Sequence, residues 1–363
     1  MTAMTRAWDV FCRVIDNHGD LGVAWRLCAD LAGRGERVRL WVDDASALSW
    51  MAPQGQAGVQ VIAWTDPAPD LAPADVVVEC FGCDPPPRFV QRMAAMNPAP
   101  VWINLEYLSA EPYAERSHGL PSPVQIAPGR VLEKRFHFPG FTAASGGLLR
   151  EPGLLDARRD FDRDRWLTAH GIALHHGERL VSLFCYRNAA LPALLGVLAG
   201  EPTLLLVTPG AAASEVDAAA LGSMRRRGAL RSLELPYLTQ ADYDRLLWSC
   251  DLNFVRGEDS FVRAQWAGKP FVWQAYPQND DVHLGKVDAF LARFLAAAEP
   301  GLAGALRQLF KAWNASPGVS LPRAEALPGA SAWTAHCKKA WRDALCAQPD
   351  LVTQLLRRVA RSR

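Results

Sequence analysis

Two aspartates, Asp16 and Asp20, bracket Asn17-His18-Gly19 directly after an apolar stretch at 8–15. A dinucleotide-binding protein would carry Gly-x-Gly-x-x-Gly at this first strand-to-helix loop, and that fingerprint is absent. Paired carboxylates would repel a pyrophosphate. They suit a general base, or an anchor holding a cationic acceptor through charge-assisted hydrogen bonds. A purely structural reading competes: Asp20 as N-cap of a helix starting at Leu21, with Asp16 in an Asx turn.

A second constellation lies far down the chain. An apolar strand at 252–255 runs into Arg256-Gly257, where glycine permits a sharp turn. Glu258, Asp259 and Ser260 supply N-cap chemistry for a short helix that stops at Gly268, with Pro270 blocking its continuation. The free N–H groups at such a helix start favour an anion, and phosphate is the usual guest. An ordinary capped helix has the same local features. Phe184 and Tyr186, at the end of an apolar run at 180–184, are an aromatic pair able to stack on a nucleobase, or else core residues. Glu106-Tyr107 ends the corresponding strand in the first half. His118, in an irregular region, reads as solvated. Cys80-Phe-Gly-Cys83 is a lone C-x-x-C with no second pair at zinc-ligand spacing, which favours buried thiols over a metal site.

The elements that must position these residues alternate. Strands are expected at 8–15, 38–42, 59–64, 76–80 and 101–105, with helices at 21–31 and 88–96. That βαβ opening implies a parallel sheet. From 111 to 155 the periodicity fails, Pro, Gly and Ser accumulate, and a long loop with a domain junction at its end is expected. Alternation resumes with strands at 180–184, 203–207, 231–235, 252–255 and 271–273 and helices at 191–198, 215–224 and 241–250. Helices at 283–298, 302–313, 331–345 and 350–361 follow. The domain expectation is 1–155, 156–330 and a set of C-terminal helices, 331–363, packing back toward the first domain. Two Rossmann-like domains facing a cleft, with a helical tail, are the α/β architecture of GT-B glycosyltransferases.

The 363 residues are too many for one typical core. Half are hydrophobic and 21% are charged, so the chain should be globular. A net charge of +1 gives no global reason to expect nucleic acid or a membrane as partner. Arg357, Arg358, Arg361 and Arg363 form a basic C-terminus that reads as a solvated helix end. No signal peptide or spanning apolar run is evident, and eight scattered cysteines favour reduced thiols in the cytoplasm.

The motifs together resemble one family. Trp8-Asp-Val-Phe-Cys-Arg-Val-Ile-Asp-Asn-His-Gly-Asp-Leu-Gly-Val23, Ile103-Asn-Leu-Glu-Tyr-Leu-Ser109, His118-Gly-Leu-Pro-Ser-Pro123, Phe138-Pro-Gly-Phe141 and Arg256-Gly-Glu-Asp-Ser-Phe-Val-Arg-Ala-Gln-Trp266 are similar, in order and over the whole chain, to the bacterial protein-arginine rhamnosyltransferases that modify elongation factor P. The resemblance implies an inverting, metal-independent GT-B enzyme without a cofactor, moving L-rhamnose from dTDP-β-L-rhamnose to an arginine of elongation factor P. It implies Asp20 as general base, with Asp16 supporting acceptor placement or catalysis. It also implies an acceptor-binding first domain and a second domain that holds the nucleotide sugar. Asn17, Phe184, Tyr186, Arg256, Glu258, Asp259 and Ser260 are the implied donor-binding residues. His18 departs from the Tyr or Phe expected between the two aspartates. A sugar-nucleotide epimerase of similar shape and a non-catalytic nucleotide-binding partner of the translation machinery are the alternatives; the latter has no need for Asp16 and Asp20.

Overall fold

The computed structural model describes residues 5–15, 18–218, 226–314 and 329–362. Asp16, Asn17 and the end of the expected 215–224 helix lie outside the described residues. The chain divides into two compact units, Met1–Pro152 with Gln348–Arg363, and Gly153–Ala347. The first junction thus falls at 152/153, and the expected C-terminal block is divided at 347/348 between the two units.

In the first unit the described residues build a sheet in the order β3-β2-β1-β4-β5-β7-β6. Its strands are β1 (Ala7–Cys12), β2 (Arg37–Val42), β3 (Val59–Ala63), β4 (Val76–Cys80), β5 (Val101–Leu105), β6 (Pro121–Ala127) and β7 (Arg130–His137). All neighbours pair parallel except β6 and β7. Both faces are covered, as parallel strands require. Trp8, Val10 and Cys12 face a core shared with the helix Gly19–Gly33 and with Leu351, Val352, Leu355 and Val359 of the helix Leu351–Arg361. Phe11 faces the opposite side, in an aromatic cluster with Trp41, Trp64 and Phe89. Asp9 is fully buried between them. Its carboxylate accepts from Arg39 Nε and Nη2 and Trp41 Nε1, each at 2.7 Å, and from the Ala74 N–H at 2.8 Å. A buried carboxylate is tolerable only when it is paired in this way.

The expected loop at 111–155 is corrected. It contains the helix Pro112–Ser117 and the antiparallel hairpin β6–β7, which forms the sheet edge. Pro121 and Pro123 disguise the strand, because proline lacks a ladder donor, yet an edge strand tolerates it. Val124, Ile126 and Leu132 rest against the aromatic cluster.

In the second unit the order is β10-β11-β9-β8-β12-β13, from β8 (Arg179–Leu183), β9 (Thr203–Val207), β10 (Arg226–Arg227), β11 (Leu230–Glu234), β12 (Leu252–Arg256) and β13 (Phe271–Gln274). Only β10 and β11 run antiparallel. Two further helices not expected from sequence, Leu154–Arg159 and Arg163–Ala169, precede β8. The helix Asp259–Ala267 is buried from Ser260 onward and is held by a bidentate pair, Arg263 Nε and Nη2 to Asp244 at 2.8 and 2.7 Å. It ends at Gly268, whose left-handed φ of 59° favours glycine and where a Cβ would press on the Arg342 side chain. Phe261, Phe271, Phe290, Phe294 and Phe310 form the adjoining aromatic core. The expected 331–345 helix is α over Ala330–Ala335, π over His336–Arg342 and α again over Asp343–Cys346.

Candidate active site

In the second unit β8 and β12 are parallel neighbours, so their carboxyl ends open side by side. After β8 the chain presents Phe184 and Tyr186, both half-buried. After β12 comes Arg256, and its guanidinium carbon lies 4.3 Å from the centroids of both rings. Arg256 Nη1 also donates to the Cys185 carbonyl oxygen at 3.3 Å. Cation–π contact and hydrogen bond fix the charge among the aromatics. The pair expected to stack on a base is therefore also the support of the arginine. Phe184 meets Tyr243 edge-on at 5.8 Å, and Tyr186 meets the exposed Tyr276 at 5.3 Å.

Gly257 turns the chain with φ of 61°. Ser260, nearly fully buried, braces that turn from both sides: the Arg256 N–H donates to its Oγ at 3.0 Å, and its hydroxyl donates to the Arg256 carbonyl oxygen. Ser260 is thus committed to backbone, a more local role than the cap expected from sequence. Glu258 occupies the N-cap position without a side-chain capping bond, and Asp259 opens the helix. Phe184, Tyr186, Arg256, Glu258 and Asp259, all partly exposed, lie at the carboxyl ends of β8 and β12, with Ser260 buried beneath the turn. Sequence reading missed Gln274, which pairs in register with Arg256. Its Oε1 accepts from the Tyr186 N–H at 2.9 Å, its Nε2 donates to the Arg187 carbonyl oxygen at 3.2 Å, and its carbonyl accepts from Gly257. A polar residue closing an apolar strand beside the glycine turn is the signal that marks it.

In the first unit the helix starts at Gly19, two residues before Leu21, with His18 at the cap position. Asp20 therefore sits in the first helical turn and is not the N-cap. Its carboxylate, buried, reaches back to accept from the Ile15 N–H at 3.0 Å, while the Tyr107 hydroxyl approaches its other oxygen at 3.4 Å. Tyr107 is exposed and stacks on Phe81 at 4.3 Å. The neighbouring Glu106 carboxyl is pushed up by burial, against a 3.0 Å hydrogen bond from Asn104. The His18 ring lies edge-on to Trp50 at 5.5 Å. Cys80 and Cys83 are free and buried; burial pushes Cys80 up and Cys83 up to about 12, which keeps both as thiols.

The sequence profile described as elongation-factor P (EF-P) rhamnosyltransferase EarP matches residues 8–360. The chain belongs to the EarP family. A protein-arginine rhamnosyltransferase of Pseudomonas aeruginosa is 43% identical, the match covering 96% of this chain and 98% of the relative. One from Pseudomonas putida is also 43% identical, over 97% and 98%. A solved structure, from work on EarP-mediated arginine glycosylation of translation elongation factor EF-P, is 33% identical over 99% of this chain and 100% of that one, with a TM-score of 0.69. The enzyme has the GT-B glycosyltransferase fold, and protein-arginine rhamnosyltransferase is the activity its family carries. No helix among the described residues is long and apolar enough to cross a membrane.

Proposed function

We propose that the enzyme transfers L-rhamnose from dTDP-β-L-rhamnose to the guanidine of an arginine in elongation factor P, with inversion and without a metal. The observation that carries the donor half is Arg256, stacked between Phe184 and Tyr186 beside the start of the helix Asp259–Ala267. Aromatic faces suit the thymine, while the guanidinium and the helix N-terminus suit the diphosphate. As the sugar bond breaks, negative charge grows on the leaving dTDP, and fixed positive charge and N–H dipoles stabilise it. Glu258 would repel phosphate, so it is assigned to ribose hydroxyls or to the shape of the turn.

An arginine acceptor stays protonated in water, with a pKa above ~12, and is a poor nucleophile. Asp20 is assigned as the base that orients the guanidinium and takes its proton as the bond to the anomeric carbon forms. Asp16 and Asn17 lie outside the described residues, and their parts, acceptor placement and donor contact, rest on the sequence motif. A single displacement on a β-linked donor gives an α-linked product. The test is the intact mass of elongation factor P after incubation with the enzyme and dTDP-L-rhamnose. A single deoxyhexose increment, confined to one arginine, is expected. Unmodified acceptor with intact donor would refute the proposal, and donor consumption without acceptor would point to an epimerase or hydrolase.

A further inference from the structure

The first unit contains a basic cavity lined by none of the residues assigned to this reaction. It has a volume of about 530 Å³ and is lined by Arg135, Arg357, Arg358 and Arg361 together with His118 and His137. Among the described residues no carboxylate lines it. Arg135 pairs with Glu133 at the surface and donates to the Gly119 carbonyl oxygen at 3.1 Å. Among the described residues no carboxylate pairs with Arg357, Arg358 or Arg361. Burial and the charge of Arg135 both disfavour the charged form of Arg358. Gathering guanidinium groups without a counter-charge is unfavourable.

The hydrogen bonding around His118 points the same way. The Phe138 N–H donates to its Nδ1 at 3.2 Å, which places the proton of the neutral ring on Nε2. Nε2 faces Arg358 Nη2 at 3.3 Å, and a guanidinium has no acceptor. Two donors thus meet with nothing to receive them. His137 Nε2 donates to the Gly146 carbonyl oxygen at 3.1 Å, which leaves its buried Nδ1 an acceptor without a donor. What the Arg358–His118 contact lacks is an acceptor, and the guanidinium groups around it favour one carrying several negative charges.

We propose that the cavity between the β6–β7 hairpin and the C-terminal helix is a second anion site, distinct from the donor turn, that takes a small ligand bearing two or more phosphoryl groups. Guanidinium forks match phosphate oxygens pairwise, and an oxygen placed between Arg358 and His118 would receive both donors. The volume lies within the range of small-molecule pockets. The C-terminal arginines are therefore more than the solvated helix end expected from sequence.

The probe is inorganic pyrophosphate, titrated by calorimetry into the full-length enzyme. Saturable binding is expected to persist in Arg256→Ala, whose donor turn is disabled. It should weaken about tenfold or more in Arg358→Ala, the factor for one charge-assisted hydrogen bond. Because Arg358 is half-buried, the exposed pair Arg357→Ala/Arg361→Ala provides a second reading with little risk to folding. The His118 nitrogen resonances should shift on titration in Arg256→Ala. Equal affinity for pyrophosphate and ADP would show that phosphate alone is read, and tighter ADP would assign a nucleotide. Loss of all binding in Arg256→Ala, or unchanged binding in both arginine variants, would overturn the proposal. So would arginine variants that raise the KM for the protein acceptor while wild type binds no pyrophosphate, since the surface would then serve a protein partner.

Discussion

Asp20 is where the functional and structural readings now separate most cleanly. Its carboxylate accepts from the Ile15 N–H on one oxygen and is approached by the Tyr107 hydroxyl on the other; an asparagine keeps the first bond through its amide oxygen, while its NH2 can donate to the Tyr107 hydroxyl oxygen. Asp20→Asn should therefore keep the loop, the fold and dTDP affinity while losing ~10²–10⁴-fold in turnover, the usual worth of a general base. Rhamnose transfer at saturating donor measures it, and near-wild-type turnover would move the base assignment to Asp16. Tyr186→Ala should weaken dTDP binding by about 1–3 kcal/mol, read by calorimetry, because the base platform goes and Arg256 loses one of its two rings. Unchanged affinity would make Tyr186 a packing residue. His118 differs from its sequence reading as a solvated group: burial and the nearby Arg358 push it down to about 4. An unfolded histidine titrates near ~6.5, so the unfolded chain binds more protons between there and about 4. Its contribution to stability is complete above ~6.5 and is lost as pH falls through that window. Buried carboxyls such as Asp30, pushed up to about 6, tilt the opposite way, so the ring itself must be followed, by NMR. A midpoint near the ordinary histidine value would place the ring in water.

At the scale of elements, the glycine turn between β12 and the helix Asp259–Ala267 depends on one hydroxyl. Ser260→Ala removes the acceptor of the Arg256 N–H and the donor to its carbonyl, an expected local cost of about 1–3 kcal/mol. Since Arg256 carries the charge of the donor site, dTDP affinity should fall several-fold, and the thermal midpoint of the second unit should drop by a few degrees. An unaltered affinity would mean that the strand and Gly257 hold Arg256 unaided. This turn was readable in sequence because its signals are local: an apolar strand, a glycine, acidic residues and a helix stop. The arginine's seat was not, because it depends on β8 and β12 pairing across 71 residues. Periodicity likewise exposed the parallel strands but hid the β6–β7 hairpin, whose prolines mimic a loop. Asp9 shows the same limit from another side. A charge inside an apolar run has no local explanation, and only the folded sheet supplies Arg39, Trp41 and the Ala74 N–H.

For the whole molecule, the informative feature is that the first unit is completed by the last segment of the chain. The helix Leu351–Arg361 is capped by Asp350, which accepts from the Thr353 N–H at 2.8 Å and also pairs with Arg34 at 2.7 Å. Leu351, Val352, Leu355 and Val359, at most 2% exposed, lie in the same core as Trp8 and Leu27. Burying four such side chains is worth about 1.5–3 kcal/mol each, together about 6–12 kcal/mol as an upper bound. That rivals the ~5–15 kcal/mol that holds a typical protein together. A chain truncated after Ala347 should therefore lose the first unit and keep the second. Hydrogen exchange is expected to show β1, β2, β4 and β5 unprotected while β8, β9 and β12 remain slow, with dTDP binding retained and rhamnose transfer abolished. If the helix were a detachable appendage, the truncated chain would keep protection in both sheets and unfold at the wild-type midpoint.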